Sequence, residues 1–233
     1  MLGMQKYADR LLEGLAETEF QEKTKLAQTN WIGKSVGAEI DFLVDNTDEV
    51  LKVYTTRPDT LYGVTFMVIA PEHPIINKLS DRILNMDEIH DYQVFASHKS
   101  EMERTQLNKE KTGVKILGFY AINPITKDKI PVYISDYVMM SYGTGAIMAV
   151  PAHDERDYEF AKKFNINIIP VIKGGDISVA AYTGDGEMIN SGFLNGIDNK
   201  KFAIYKMNEY LEKEGIGKKA TKYHLQDRVF SRQ

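Results

Sequence analysis

An α+β fold, a small mixed β-barrel decorated with helices, is predicted by three features of the sequence. Short β-rich runs crowd the middle of the chain, amphipathic helical stretches flank them, and no internal repeat or regular strand–helix alternation points to a solenoid or a doubly wound sheet. The 233 residues, 43% hydrophobic and 27% charged, are enough for one sizeable core without covalent staples.

The elements follow in order. Ala8, Leu11, Leu12 and Leu15 recur at helical spacing and predict an amphipathic helix, although Gly14 in its middle costs about 1 kcal/mol relative to Ala. A second helix is expected over Glu22 to Gln28. Ala38 to Val44 and Val50 to Thr56, separated by the turn-forming Asp45-Asn46-Thr47-Asp48, read as a hairpin. Gly63 to Ala70 is a strand-like apolar run ended by Pro71, and Met86 to Arg104 carries Ile89, Tyr92 and Ala96 at helical offsets. Gly113 to Ile122, Lys129 to Val138 and Gly143 to Val150 are three further strands. Asp154 to Phe164 reads as a helix, followed by an edge strand, Ile168 to Ile172, whose interior Pro170 removes a ladder donor. Gly174 to Gly196 is loop-like, Lys200 to Glu214 is helical, and Tyr223 to Phe230 forms a last strand-like run. The chain begins inside a helix-like pattern and stops just after that run, as an excised domain would; a complete protein with ragged ends is the alternative.

Composition removes several function classes. With no Cys, disulfides, thiolate zinc sites and cysteine nucleophiles are excluded together, and a reducing, cytoplasmic location is the default. No apolar run approaches the roughly 18 residues of a membrane span, and the first ten residues lack a signal-peptide layout. A net charge of −4 argues against coating nucleic acid by bulk attraction, leaving only a local site for a strand end. His73, His90, His98, His153 and His224 are scattered, and no pair has helical ligand spacing, so solvated or capping roles are expected and no metal or other cofactor. Gly143-Thr144-Gly145 lacks the third glycine and following helix of a dinucleotide loop; it fits a tight turn or a close approach of backbone.

Two polar clusters remain. Thr55-Thr56-Arg57-Pro58-Asp59-Thr60 crowds three hydroxyls, a guanidinium and a carboxylate into one short loop between strands. It reads either as a turn whose threonines bond nearby backbone, or as neutral donors and acceptors around an oxygen-rich ligand, with threonine methyls as steric walls. Pro151-Ala152-His153-Asp154-Glu155-Arg156-Asp157 lies where a strand gives way to a helix. There Asp154 suits an N-cap and Asp157 the third helical position, while a carboxylate facing a pocket would bind an ammonium group. Met148 and Val150 alternate on one strand and fit plain core equally well.

These clusters, with Asn30-Trp31-Ile32-Gly33-Lys34-Ser35, the run Thr55 to Pro74 (TTRPDTLYGVTFMVIAPEHP), Lys129 to Asp157 (KIPVYISDYVMMSYGTGAIMAVPAHDERD) and Asn190 to Gly196 (NSGFLNG), resemble the editing domain of bacterial-type leucyl-tRNA synthetases, an insertion in the connective polypeptide of those class I enzymes. The resemblance covers most of the chain. Valyl and isoleucyl relatives also carry a threonine-rich loop and a GTGA segment, but Asp59-Thr60-Leu61, Gly63-Val64-Thr65 and His153 to Asp157 look like the leucyl version. Neither HIGH nor KMSKS, the ATP-site signatures of class I synthetases, occurs in the sequence, so aminoacylation by this chain is not expected.

The resemblance implies residues 1–33 as a helical segment and linker from the host enzyme, 34–224 as the editing domain, and 225–233 as the start of a return linker to the catalytic core. It implies hydrolysis of leucine tRNA wrongly charged with isoleucine, valine, methionine or a similar amino acid, sparing leucine, with the tRNA 3′ end and the parent catalytic core as partners, no membrane, and a monomer. It also implies site roles. Asp157 matches the ammonium-binding aspartate, and Thr55 and Thr56 orient water and stabilise the oxyanion. Thr60 is the specificity gate, Met148 and Val150 line the pocket, and Tyr142 meets the terminal adenosine region. Arg57 and Arg156 support loops or meet phosphate, and Asp154 caps the helix behind them. A module that holds the tRNA end without hydrolysis and a passive spacer remain the alternatives.

Overall fold

The computed structural model describes residues 3–105, 110–140, 143–225 and 227. Two helices open the chain, α1 (Ala8–Glu17) and α2 (Glu22–Ile32). Gly14 lies within α1, and nothing within 4 Å of where its Cβ would stand requires a glycine there. Ala8 and Ile32 meet Leu225 in a small apolar cluster apart from the main core.

Among the described residues, seven strands form one mixed sheet: β1 (Lys34–Val44), β2 (Val50–Thr55), β3 (Phe66–Ile69), β4 (Val114–Ile122), β5 (Lys129–Ile134), β6 (Ala146–Ala149) and β7 (Gly217–Tyr223). The path runs β2-β1-β4-β5-β3-β6, with β3 and β5 parallel and the other pairs antiparallel. One edge of β1 takes β2, from Ala38↔Thr55 to Leu43↔Val50, and the other is shared by β7 and β4. The α+β class and the mixed sheet are as the sequence predicts, but the barrel is not closed. The end strands β2 and β6 pack against each other without a hydrogen-bonded ladder between them.

Alternation decides which residues fill the interior. Ala38, Ile40, Phe42 and Val44 of β1 point inward with Leu51, Val53, Met67, Ile69, Ile116, Val132, Ile134 and Met148. Strand β3 is buried on both faces, because Phe66 and Val68 point outward under α6 (Glu155–Phe164) while Met67 and Ile69 point inward. Phe160 of α6 stacks on Phe66 at 5.3 Å between ring centres. The remaining helices are α3 (Pro74–Lys78), capped by His73 through its acceptance of the Ile75 N–H, α4 (Met86–Ser97), α5 (Glu101–Thr105) and α7 (Lys200–Lys213).

Three sequence expectations are corrected. The segment Ile168 to Ile172 is not a strand, and only an isolated bridge joins Ile172 to Met188. Pro170 has no N–H, and the N–H groups of Val171 and Ile172 donate instead to His153 Nε2 at 2.9 and 3.1 Å. Strand β7 escapes sequence reading because Gly217–Tyr223 buries no residue and is rich in Lys; its pairing with β1 rests on backbone hydrogen bonds. The run from Gly63 becomes strand only at Phe66, since Pro58–Gly63 closes a 3₁₀ turn with Pro58 at its start. The expectation for Tyr223 to Phe230 falls mostly outside the described residues.

Candidate active site

Two junctions face each other across the gap between β2 and β6. The first is the end of β2, where Thr55 runs into the 3₁₀ turn. The chain can pass there because β1 has Gly37 opposite; a Cβ on Gly37 would lie 2.1 Å from the Thr55 carbonyl oxygen. The second is the exit of β6 into α6, the segment Val150 to Asp157. A cavity of about 280 Å³ lies between them, lined on one side by Thr55, Thr56, Arg57 and Thr60 and on the other by Met148, Val150, Asp154, Arg156 and Asp157. Nine of the ten residues singled out from the sequence therefore share one cavity. The tenth, Tyr142, lies outside the described residues.

The threonine loop is a polar turn that also lines the cavity. Thr55 Oγ1 accepts from the Arg57 N–H at 3.0 Å, and the Thr60 hydroxyl donates to the Arg57 carbonyl at 2.9 Å, as in a polar turn. With its hydroxyl donated to the backbone and its residue almost fully buried, Thr60 is held in place as part of the cavity lining. Thr56 is exposed, and its hydroxyl has no hydrogen-bond partner among the described residues. Arg57 turns inward onto Asp59, donating from Nε at 3.1 Å and from a terminal nitrogen at 2.8 Å, and the Asp59 side chain is completely buried. Of the two roles open to Arg57, loop support is the one this pairing serves.

At the opposite wall, Asp154 is the N-cap of α6 and accepts from the Arg156 and Asp157 N–H groups at 2.9 and 3.2 Å. Its other oxygen meets Arg156 at 3.4 Å, a pair that is largely exposed. Asp157 therefore does not cap. Its Oδ2 accepts from the Val150 N–H at 2.9 Å, and its Oδ1 takes a long contact from the Tyr137 hydroxyl at 3.5 Å. Among the described residues no cationic side chain pairs with it within ion-pair distance. Burial, then the neighbouring Asp154 charge, pushes its pKa up to about 7, against the lowering effect of the Val150 hydrogen bond and the Arg156 charge. The same burial, and then the charge of Asp157, raises the Tyr137 phenol.

Sequence reasoning overlooked four lining residues: Ser35, Tyr54, Ile147 and His153. Tyr54 precedes the threonines on β2, and its hydroxyl donates to the Ser35 carbonyl at the start of β1 at 2.8 Å, 19 positions away, so the contact had no local signature. His153 is neither solvated nor a cap. Its Nε2 accepts two backbone N–H groups, which requires Nδ1 to carry the proton and donate to the Tyr182 carbonyl at 2.7 Å, and burial lowers its pKa accordingly. Met148 and Val150 belong to the main core and to the cavity wall at once.

No group of three His, Cys, Asp or Glu side chains able to hold a metal ion occurs among the described residues. Likewise, none of their helices is long and apolar enough to cross a membrane. The site thus offers hydroxyls, one unpaired buried carboxylate and apolar wall.

A family model described as the editing domain of leucyl-tRNA synthetase matches residues 29–212. The leucine–tRNA ligase of Alkaliphilus oremlandii is 54% identical over 235 residues, covering 100% of this chain and 29% of that protein. Among solved structures, a ternary complex of Agrobacterium radiobacter LeuRS with tRNA and LeuAMS aligns with a TM-score of 0.76 at 31% identity, covering 97% of this chain and 25% of that one. The chain spans less than a third of the length of these proteins. Since the family model takes in most of the sequence, the chain belongs to the leucyl-tRNA synthetase editing-domain family.

Proposed function

We propose that this cavity hydrolyses the ester joining a wrong amino acid to the terminal adenosine of leucine tRNA, after transfer, and that it spares leucine. The observation that carries the reading is Asp157: a buried carboxylate in the wall of a small cavity, with no cationic side chain paired to it among the described residues. Keeping such a group out of water costs several kcal/mol unless a cation joins it. The α-ammonium of an aminoacyl ester is a cation of fitting size, and neutral ligands would leave the carboxylate unmatched.

The chemistry follows from that anchor. With the ammonium on Asp157, the adjacent carbonyl faces the threonine loop, where the Thr56 hydroxyl is free to orient a water and Thr55 stands beside it. The water oxygen attacks the carbonyl carbon, hydroxyl donors stabilise the developing oxyanion, and collapse breaks the ester bond with a proton passing to the departing ribose oxygen. The ester is activated by its own ammonium, so no protein nucleophile is required. Thr60 supplies selectivity: isoleucine and valine branch at the β carbon and leucine at γ, and a fixed methyl can refuse one branch and admit the other. Such a second filter is needed because apolar pockets separate near-isosteres by only about 10- to 200-fold.

Residues 34–224 are proposed as the editing unit, with 1–33 and 225–233 as connections to a synthetase core, acting in the cytoplasm on the tRNA 3′ end. Deacylation of isoleucine-charged leucine tRNA by the 233-residue chain, measured beside binding of the uncharged tRNA, tests the reading. Hydrolysis supports the enzyme. Binding without hydrolysis leaves a holding module, and neither leaves a spacer.

A further inference from the structure

A steric filter works by position, so Thr60 can refuse a side chain only if the turn that carries it is fixed relative to the opposite wall. The contacts inside the turn do not achieve this. The Arg57–Asp59 pair and the Thr60 hydroxyl bond to the Arg57 carbonyl brace its shape but move with it as one piece, and Leu61 seats the turn in the main core through apolar packing that carries no direction of its own. Among the described residues, one hydrogen bond reaches residues 57–63 from a distant part of the chain: Asn123 Nδ2 donates to the Leu61 carbonyl at 3.1 Å. Leu61 directly follows the gate, and the same carbonyl accepts the Val64 N–H at 3.3 Å as the turn ends.

Asn123 is built for this contact. It stands just beyond β4, at the corner leading to β5, and is completely buried. Its Oδ1 accepts from the Ile125 and Thr126 N–H groups at 3.0 and 3.3 Å, and its backbone pairs with Asp128 and Lys127. With Oδ1 occupied by two donors, the amide can present only its NH₂ to Leu61, so its orientation is determined by the network. The corner belongs to the rigid sheet that also carries β6, and hence Met148 and the Val150 wall, through β5 and β3.

We infer that Asn123 is a positioning residue for selectivity, registering the gate turn against the sheet so that the Thr60 methyl meets the γ branch of leucine. The inference rests on the editing reading above. It sets two effects of Asn123 apart, the corner it organises and the carbonyl it holds, and they separate by substitution. Asn123→Ser keeps an acceptor for the corner but is too short to reach Leu61. Asn123→Asp keeps both acceptors and loses the donor. Lys127→Val strains the same corner at a positive-φ position, φ 64°, without touching Leu61.

The experiment measures kcat/KM for isoleucine-charged and leucine-charged leucine tRNA with the 233-residue chain and each variant, after thermal melts establish folding. The ratio should fall about tenfold or more in Asn123→Ser and Asn123→Asp, chiefly through faster loss of leucine, and stay at the parent value in Lys127→Val. Adding Asn123→Ser to Thr60→Ala should leave the ratio where Thr60→Ala alone puts it. Folded Asn123 variants with the parent ratio, an equal fall in Lys127→Val, or a further fall in the double variant would each overturn the inference. A parent chain that hydrolyses neither ester would instead sink the editing reading, and this inference with it.

Discussion

Asp157 and Val150 are joined by a 2.9 Å hydrogen bond from the Val150 N–H to Asp157 Oδ2, which ties the third residue of α6 to the strand exit that walls the cavity. Asp154 already serves as cap at that helix terminus, and Asp157 is left in the cavity wall with no cationic side chain within ion-pair distance among the described residues.

Replacing Asp157 separates anchoring from folding. Asp157→Ala should abolish measurable deacylation of isoleucine-charged tRNA, since losing a charge-assisted contact costs about 1.5 to 3 kcal/mol before misorientation is added. Asp157→Asn, which can still accept from Val150, should be equally inactive yet fold better at high pH. The folded protein holds this Asp near 7 against an ordinary 3.8, so it favours the neutral form. That contribution is full below about pH 4 and is lost as pH rises through 7, at about 1.4 kcal/mol per pH unit. Melts at pH 8 should therefore show Asp157→Asn above the parent, by a gap that narrows on acidification. A variant that melts at or below the parent at pH 8 would mean the buried charge is not costly.

The same group sets the activity profile. Only ionised Asp157 captures an ammonium, so kcat/KM should fall about tenfold per pH unit below 7, through a group with free-site pKa about 7. The profile with a substrate analogue that lacks the ammonium should not share that limb. A parent profile flat from pH 5.5 to 7.5 would exclude Asp157 as the titrating anchor.

The two arginines should behave differently. Arg57 neutralises a fully buried Asp59, and removing one member of such a pair strands a charge, so Arg57→Ala should lose about 3 to 5 kcal/mol in urea unfolding. Arg156 pairs with Asp154 at the surface, and Arg156→Ala should lose no more than about 1 kcal/mol. Equal losses would mean that Arg57 is not the brace of the threonine loop.

Much of this was legible in the sequence because it was written locally. Asp154 as cap with Asp157 three residues on, the turn chemistry of the threonine loop, and the inward alternation of Ala38, Ile40, Phe42 and Val44 are all short-range patterns. What was hidden depends on partners far along the chain. The Lys-rich β7 is a strand only because β1 offers it an edge, and residues 168–172 fail to be one because His153 takes their donors. Asn123 reads as an ordinary turn residue until its amide is seen on Leu61, 62 positions away. The open gap between β2 and β6, into which the cavity fits, is likewise a property of the whole sheet.

Thr60→Ala tests the central claim most directly, because it predicts a gain. Its hydroxyl is spent on the Arg57 carbonyl, so in the proposed reading the steric role falls to the methyl, and deleting it removes a repulsion more than an attraction. Deacylation of leucine-charged and isoleucine-charged leucine tRNA should be followed side by side with the parent and Thr60→Ala. The account predicts that the parent hydrolyses only the isoleucine ester, that the variant hydrolyses both, and that adding Asp157→Ala silences both. A folded Thr60→Ala variant that still spares leucine, or leucine hydrolysis that survives loss of Asp157, would contradict it.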